Sequence, residues 1–287
     1  MTSGLVRIAD GPLEVELLPS VGARLHRLRA FGTDLLRTPA NVATHADDPL
    51  SWGGYLMAPW GGRIEAVPTT VGDRLVTVAP NFPDGSAIHG QVAAIPWEVT
   101  GPGTFRARRQ DDGWPWPYEI RLCVSVRDAT LRIRSSLVNL ADRPMPAGLG
   151  LHPWFVGPID VGVRGGAVFP SNSGSSPLPE PVAGDLDLRV RRPMPANLDA
   201  TWVDLGDPAV ELRWPALGIE ATMAARSSAG GLCIVGASPA ALDAVAIEPQ
   251  THGPQGLRRL LRGEPFGLAT LESGEALGLT IEIAFRR

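Results

Sequence analysis

One carboxylate and two imidazoles stand in settings suited to proton transfer. Glu248 follows four apolar residues, Ala244 to Ile247, and precedes a proline. A carboxylate at the end of a buried strand loses solvation, which raises its pKa unless a cation or hydrogen-bond donors compensate. Held near neutrality, such a group works as a general base or acid. The same setting also suits a structural carboxylate paired with an arginine at a sheet end. His152 lies in Gly148-Leu-Gly-Leu-His152-Pro-Trp154-Phe155 and His89 in Ala87-Ile-His89-Gly. Each suits a neutral donor, an acid or a packed core histidine. Arg63, after two glycines in Gly61-Gly-Arg63-Ile, is placed to clamp a hydroxyl or carboxylate, or to close a turn. His252, four residues after Glu248 in a Pro/Gly loop, is expected to line the same mouth; His26 and His45 are less distinctive.

Other chemistries fit less well. A glutamate and two histidines suit a metal, yet no HxH, HxxxH or HExxH spacing occurs, so no metal is expected. The GxSxG of a serine hydrolase is absent, as are phosphate-binding glycine loops. Trp114-Pro-Trp116-Pro-Tyr118 and Trp154-Phe155 bring flat apolar faces near the polar segments. The CH faces of sugar rings stack on such side chains while hydroxyls take the hydrogen bonds; ordinary core packing is the competing use of each tryptophan.

The elements that must position these groups read as strands. Apolar residues fall on every second position through 13–17, 120–127, 131–134 and 277–285, the mark of strands with one buried face. Glycine and proline, 33 and 28 of the 287 residues, punctuate these runs, which suits turns and disfavours long helices. A short helix is expected at 237–244, capped by Ser238 with Pro239 in its first turn. The segment 171–196, rich in Gly, Ser, Pro and Asp, reads as a long loop. Strand patterns on both sides of it look alike, so residues 1–287 are expected to form a single all-β domain. No internal repeat is visible.

Composition sets the outer bounds. The net charge is −4, and the 26 basic residues, all arginine, form no stripe, so a nucleic-acid partner is not expected. Cys123 and Cys233 sit in apolar runs and are expected to be small buried hydrophobes. No apolar run is long enough to span a membrane, and no signal-peptide pattern opens the chain, so no membrane association and a cytoplasmic location are expected.

Taken together and in order, these segments resemble the aldose 1-epimerase (galactose mutarotase-like) family. The likeness runs from about Gly53 to Glu248, through GGRI, IHG, WPWPY, LRIRSSLVNLADRPMPAGLGLHPWF and IEP. The HPWF form looks like that of shorter bacterial members, whereas members specific for galactose more typically carry an HSYF-like form. The resemblance implies a β-supersandwich of mainly antiparallel strands with an open sugar cleft, and no cofactor. It implies that Glu248 takes the proton of the anomeric hydroxyl, that His152 protonates the ring oxygen, and that His89 hydrogen-bonds at or near that oxygen. Arg63 and Asp199 would hold substrate hydroxyls, beside Trp154 and Trp116. The implied ligand is a monosaccharide, with the oligomeric state left open. Three alternatives accompany it. An epimerase of phosphorylated or sulfonated hexoses would need further arginines at the cleft, from Arg24, Arg258 or Arg259. A carbohydrate-binding module would keep the fold without turnover, and a hydrolase or lyase on a similar sandwich is a third possibility.

Overall fold

Short alternating segments punctuated by glycine and proline pair side by side rather than coil. The computed structural model, which describes residues 4–172 and 178–287, is accordingly built of antiparallel strands. The four expected strands form as Leu13–Leu18, Trp114–Arg127, Thr130–Asn139 and Ala276–Arg286. Among the described residues, 18 strands join into one continuous sheet. The sheet doubles over, so that Leu13–Leu18 near one end packs against Trp114–Arg127 near the other. Val15, Leu17, Ile120 and Leu122 thereby share one core, which is the layered arrangement a sheet needs to bury its apolar face. No described helix is long and apolar enough to cross a membrane.

Two local expectations change. The expected helix at 237–244 does not form: residues 238–243 are a turn between two strands that end at Ala237 and begin at Ala244, because the capping side chain is engaged elsewhere. The Ser238 hydroxyl donates to the Pro195 carbonyl and accepts from the Leu198 amide at 3.0 Å, tying the turn to the neighbouring segment. A helix does form at α1 (Gly256–Arg262), directly after the cleft strands. In the long loop, residues 173–177 lie outside the described residues. Part of the rest is recruited to the sheet, since Glu180–Pro181 and Arg192–Pro193 pair with Asp160–Phe169. Cys233 is buried as expected, whereas Cys123 is half-buried.

Five adjacent strands carry the site: β1 (Gly54–Met57), β2 (Gly150–Val156), β3 (Asp199–Trp214), β4 (Cys233–Ala237) and β5 (Ala244–Gln250). They lie in the spatial order β1-β2-β5-β4-β3, each pair antiparallel. Tyr55 pairs with His152. The register that joins Gly150 to Gln250 and Trp154 to Ala246 sets His152 opposite Glu248. Glu248 pairs in turn with Val235, and Val235 with Thr201. One transverse row of the sheet therefore reads Tyr55, His152, Glu248, Val235, Thr201. The next row on the same face reads Trp154, Ala246, Ala237, Asp199. Side chains two apart along a strand share a face, so this register alone gathers chemistry from four distant stretches of sequence.

Candidate active site

The two rows form the floor of an open cleft with a cavity of about 470 Å³, a size that suits a small ligand. The walls come from loops. Arg63 belongs to a small ribbon in which Arg63–Glu65 pairs with Ser86–Ile88. Asn81 clamps that ribbon, its side chain accepting from the Ile88 amide at 2.7 Å and donating to the Ile88 carbonyl at 3.0 Å. His89 follows with φ +61°, a left-handed conformation that costs a non-glycine residue energy and recurs at functional sites. Its amide donates to the Gly62 carbonyl at 2.9 Å.

His152 and Glu248 meet on the floor. His152 Nε2 lies 3.2 Å from Glu248 Oε1, and both side chains are almost wholly buried. Burial drives the Glu248 carboxyl well above the usual carboxylate range and pulls the His152 imidazole down to about 3. The neighbouring carboxyl does not lift the imidazole, because desolvation of the charged forms outweighs that attraction here. Burial thus favours the neutral form of each group, a carboxyl beside an imidazole with one proton between them to move. Gln250, two residues on and on the same face, donates to Glu248 Oε2 at 2.9 Å and opposes the upward shift. Rings hold the imidazole in place. Tyr55 stacks on His152 at 4.7 Å and 18°, Trp154 lies tilted against it at 4.7 Å, and His89 meets it edge-on at 4.9 Å. Burial keeps His89 neutral, its pKa well below the usual histidine value.

Across the floor, Asn172 donates to Asp199 Oδ1, and the Thr201 hydroxyl donates to Asn172. Burial raises the Asp199 pKa, against the lowering effect of Asn172. Arg63 Nε donates to Asp84 at 2.8 Å, and the guanidinium lies 5.2 Å from the Phe82 ring centre.

The structure therefore brings Glu248, His152, His89, Arg63, Asp199 and Trp154 to one cleft. Trp116 is the exception. It is fully buried in the main core beside Trp114 and does not line the cleft. Strand alternation puts Trp114, Trp116 and Tyr118 on one inward face. Trp116→Ala is expected to destabilise the fold by about 3–5 kcal/mol, as for other buried aromatics, while ligand affinity of the cleft below the melting temperature stays unchanged. Urea unfolding and ligand titration measure the two.

His252 also leaves the mouth. It is buried, with Nε2 accepting from the Gly61 amide at 2.9 Å and Nδ1 donating to the Gly253 carbonyl at 2.8 Å. It thus positions the loop that carries Arg63. Arg24 is buried behind Tyr55 and donates to the Val21 and Ala93 carbonyls; His45 and His26 continue that chain at 3.3 and 2.9 Å. Arg259 is buried over Phe169, and Arg258 lines a separate small pocket. Tyr55, Asn172, Thr201 and Gln250 are cleft residues that sequence reasoning missed. The period of two from Glu248 points to Gln250, whereas nothing local marks Asn172.

A family model described as aldose 1-epimerase matches residues 5–218. No curated protein matches the sequence. Similar solved structures include an Escherichia coli K12 protein provisionally assigned as an aldose 1-epimerase, with a TM-score of 0.82 at 16% identity over 98% of each chain. A galactose mutarotase-like protein from Clostridium acetobutylicum gives 0.82 at 17% identity, over 98% of this chain and 94% of that one. Another, from Lactobacillus casei ATCC 334, gives 0.72 at 18% identity, over 99% and 100%. At these identities the likeness is one of fold, and the fold of this chain is galactose mutarotase-like.

Proposed function

The chain belongs to the aldose 1-epimerase family, and on that footing we propose that residues 1–287 act as one domain that interconverts the α and β anomers of a neutral aldose. One observation carries the reading: a carboxyl and an imidazole lie 3.2 Å apart at the floor of an open cleft. Ring opening needs a base at the anomeric hydroxyl and an acid at the ring oxygen, and ring closure needs the reverse.

The proton count balances throughout. The resting couple is a neutral carboxyl and a neutral imidazole. Transfer across the 3.2 Å contact gives carboxylate and imidazolium, which the anomeric hydroxyl and ring oxygen of a bound sugar stabilise by hydrogen bonding. Glu248 then takes the C1 hydroxyl proton as the bond from C1 to the ring oxygen breaks, and His152 protonates that oxygen. The products are an open-chain aldehyde and the couple in its resting distribution. Rotation about C1–C2 presents the other carbonyl face, and the reverse steps close the ring. Neutral His89 hydrogen-bonds at the ring oxygen, while Arg63 and Asp199 hold ring hydroxyls over the Trp154 face.

Charge favours a neutral sugar. Among the described residues, Arg63 is the one arginine lining the cleft, and it is paired with Asp84. Asp199 and Glu248 line the same cavity. The arginines that an anionic sugar would need are buried elsewhere or face another pocket. Magnetisation-exchange NMR of anomers tests this. Neutral hexoses should exchange at least about tenfold faster per mole of protein than their 6-phosphates or 6-sulfonates, the effect of one unpaired charge contact. Faster exchange of the anionic sugars would overturn the substrate class. Binding with no acceleration of any sugar would leave a carbohydrate-binding module.

A further inference from the structure

The cleft does not end at His89. Beyond it lies a second cavity of about 460 Å³. The two share Leu50, Ser51, Phe82, Ile88 and His89, so they adjoin as one trough. We propose that the second cavity is a second glycosyl subsite, which takes a neutral sugar unit attached at C6 of the aldose being epimerised. The inference rests on the mutarotase reading of the first cavity.

Three observations support it. The first is size: each cavity alone falls in the range of about 300–1,000 Å³ that holds a small ligand, and a single hexose on the catalytic floor leaves the second cavity unfilled. The second is lining. Asp47 and Asp48 offer carboxylate acceptors, Gln91 and Ser51 add neutral polar groups, and Phe82, 36% exposed, offers a flat apolar face. Acceptors for vicinal hydroxyls beside a ring for a CH face are the chemistry of sugar recognition. Among the described residues no arginine lines this cavity, so an anionic substituent meets repulsion without compensation.

The third observation gives the direction. On the mutarotase reading Glu248 and His152 take the anomeric hydroxyl and the ring oxygen and His89 stands at that oxygen, and His89 lines both cavities. The ring oxygen has two carbon neighbours. C1 lies over the catalytic couple, which leaves C5 and its C6 substituent to pass His89. The partition is built to stay put. His89 is held by Gly62 and by the Asn81 clamp on Ile88. Gly90, just behind, sits where a Cβ would meet the Ala58 carbonyl oxygen at 2.0 Å.

The test compares glucose, isomaltose (linked through C6) and maltose (linked through C4), using the full chain and an Ala94→Trp variant. Ala94 is an exposed residue on the rim of the second cavity and does not line the first. The expected result is a kcat/KM for isomaltose about tenfold above that for glucose, the effect of one or two net hydrogen bonds. Ala94→Trp should abolish that advantage and leave glucose exchange within about twofold. An isomaltose advantage that is absent, matched by maltose, or untouched by Ala94→Trp would overturn the subsite. Saturation-transfer NMR separates this from failure of the mutarotase reading. If no sugar is turned over, the subsite still requires that the non-reducing unit of isomaltose receive saturation in wild type and lose it in Ala94→Trp. Equal saturation in both proteins would refute it.

Discussion

Glu248→Gln is expected to lower catalysed anomer exchange about 10³-fold, in the middle of the range for a positioned acid–base group, while the protein stays folded. Glutamine matches the carboxyl in size and can still hydrogen-bond to Gln250 and His152, the partners it meets at 2.9 and 3.2 Å. It cannot carry the proton that ring opening must move. Stability should change in the opposite sense. A carboxyl whose pKa is raised in the folded state contributes stability that is fully present below its unfolded pKa and is lost as pH rises through the folded value. The variant has no such loss. Its melting temperature should therefore exceed that of wild type at pH 8, and the gap should close toward pH 4. Exchange NMR gives the rate, and thermal unfolding at the two pH values gives the stability. Unchanged exchange in the variant would remove Glu248 from the chemistry. A gain in stability with a loss of rate is the pattern of a group held in an unfavourable state for function.

His152→Gln is expected to cost about 10²–10³-fold by the same reasoning, and its pH dependence is the sharper reading. In wild type the working state is the couple with one proton. A second proton enters only near the depressed imidazole value of about 3, so activity should hold through mildly acidic pH, well below the ordinary histidine range. At high pH the couple loses its proton from the raised Glu248 carboxyl, and the rate should fall. Without His152 the residual reaction uses the Glu248 carboxylate as base and water as acid. Its rate should therefore rise with pH across the interval where the wild-type rate falls. A rate profile for His152→Gln that runs parallel to wild type at high pH would mean that the imidazole is not the acid.

Much of this layout was legible in the sequence, and the gaps have physical reasons. Alternation of apolar residues identified the strands, because a half-buried strand repeats every two residues whatever its partners are. Glu248 stood out because a charge after Ala244–Ile247 contradicts its surroundings. Trp116 misled because aromatic residues beside polar segments were read as a sugar platform, although the alternation of Trp114, Trp116 and Tyr118 already placed them inward. Ser238 carried a capping signal, yet its hydroxyl binds across the chain to Pro195 and Leu198, and a tertiary partner of that kind leaves no local trace. Asn172 and Tyr55 reach the cleft through pairing with residues far away in sequence, Thr201 and His152. The depressed imidazole follows from depth of burial, which exists only once the layers close.

The ladder that sets His152 opposite Glu248 also governs how such a site is inherited. A one-residue slip of β5 would turn Glu248 and Gln250 to the opposite face of the sheet. A two-residue slip would restore the face but move the carboxyl about 7 Å along its strand. The couple is therefore all or nothing with respect to insertions in β2 or β5, and lineages that keep the chemistry must keep the strand lengths. The rim has no such bookkeeping, since Asp47–Ser51 and Asn81–Pro83 are connections outside the ladder. Descent with modification can then vary the choice of sugar through the loops while the anomeric chemistry passes on unchanged in the register of the sheet.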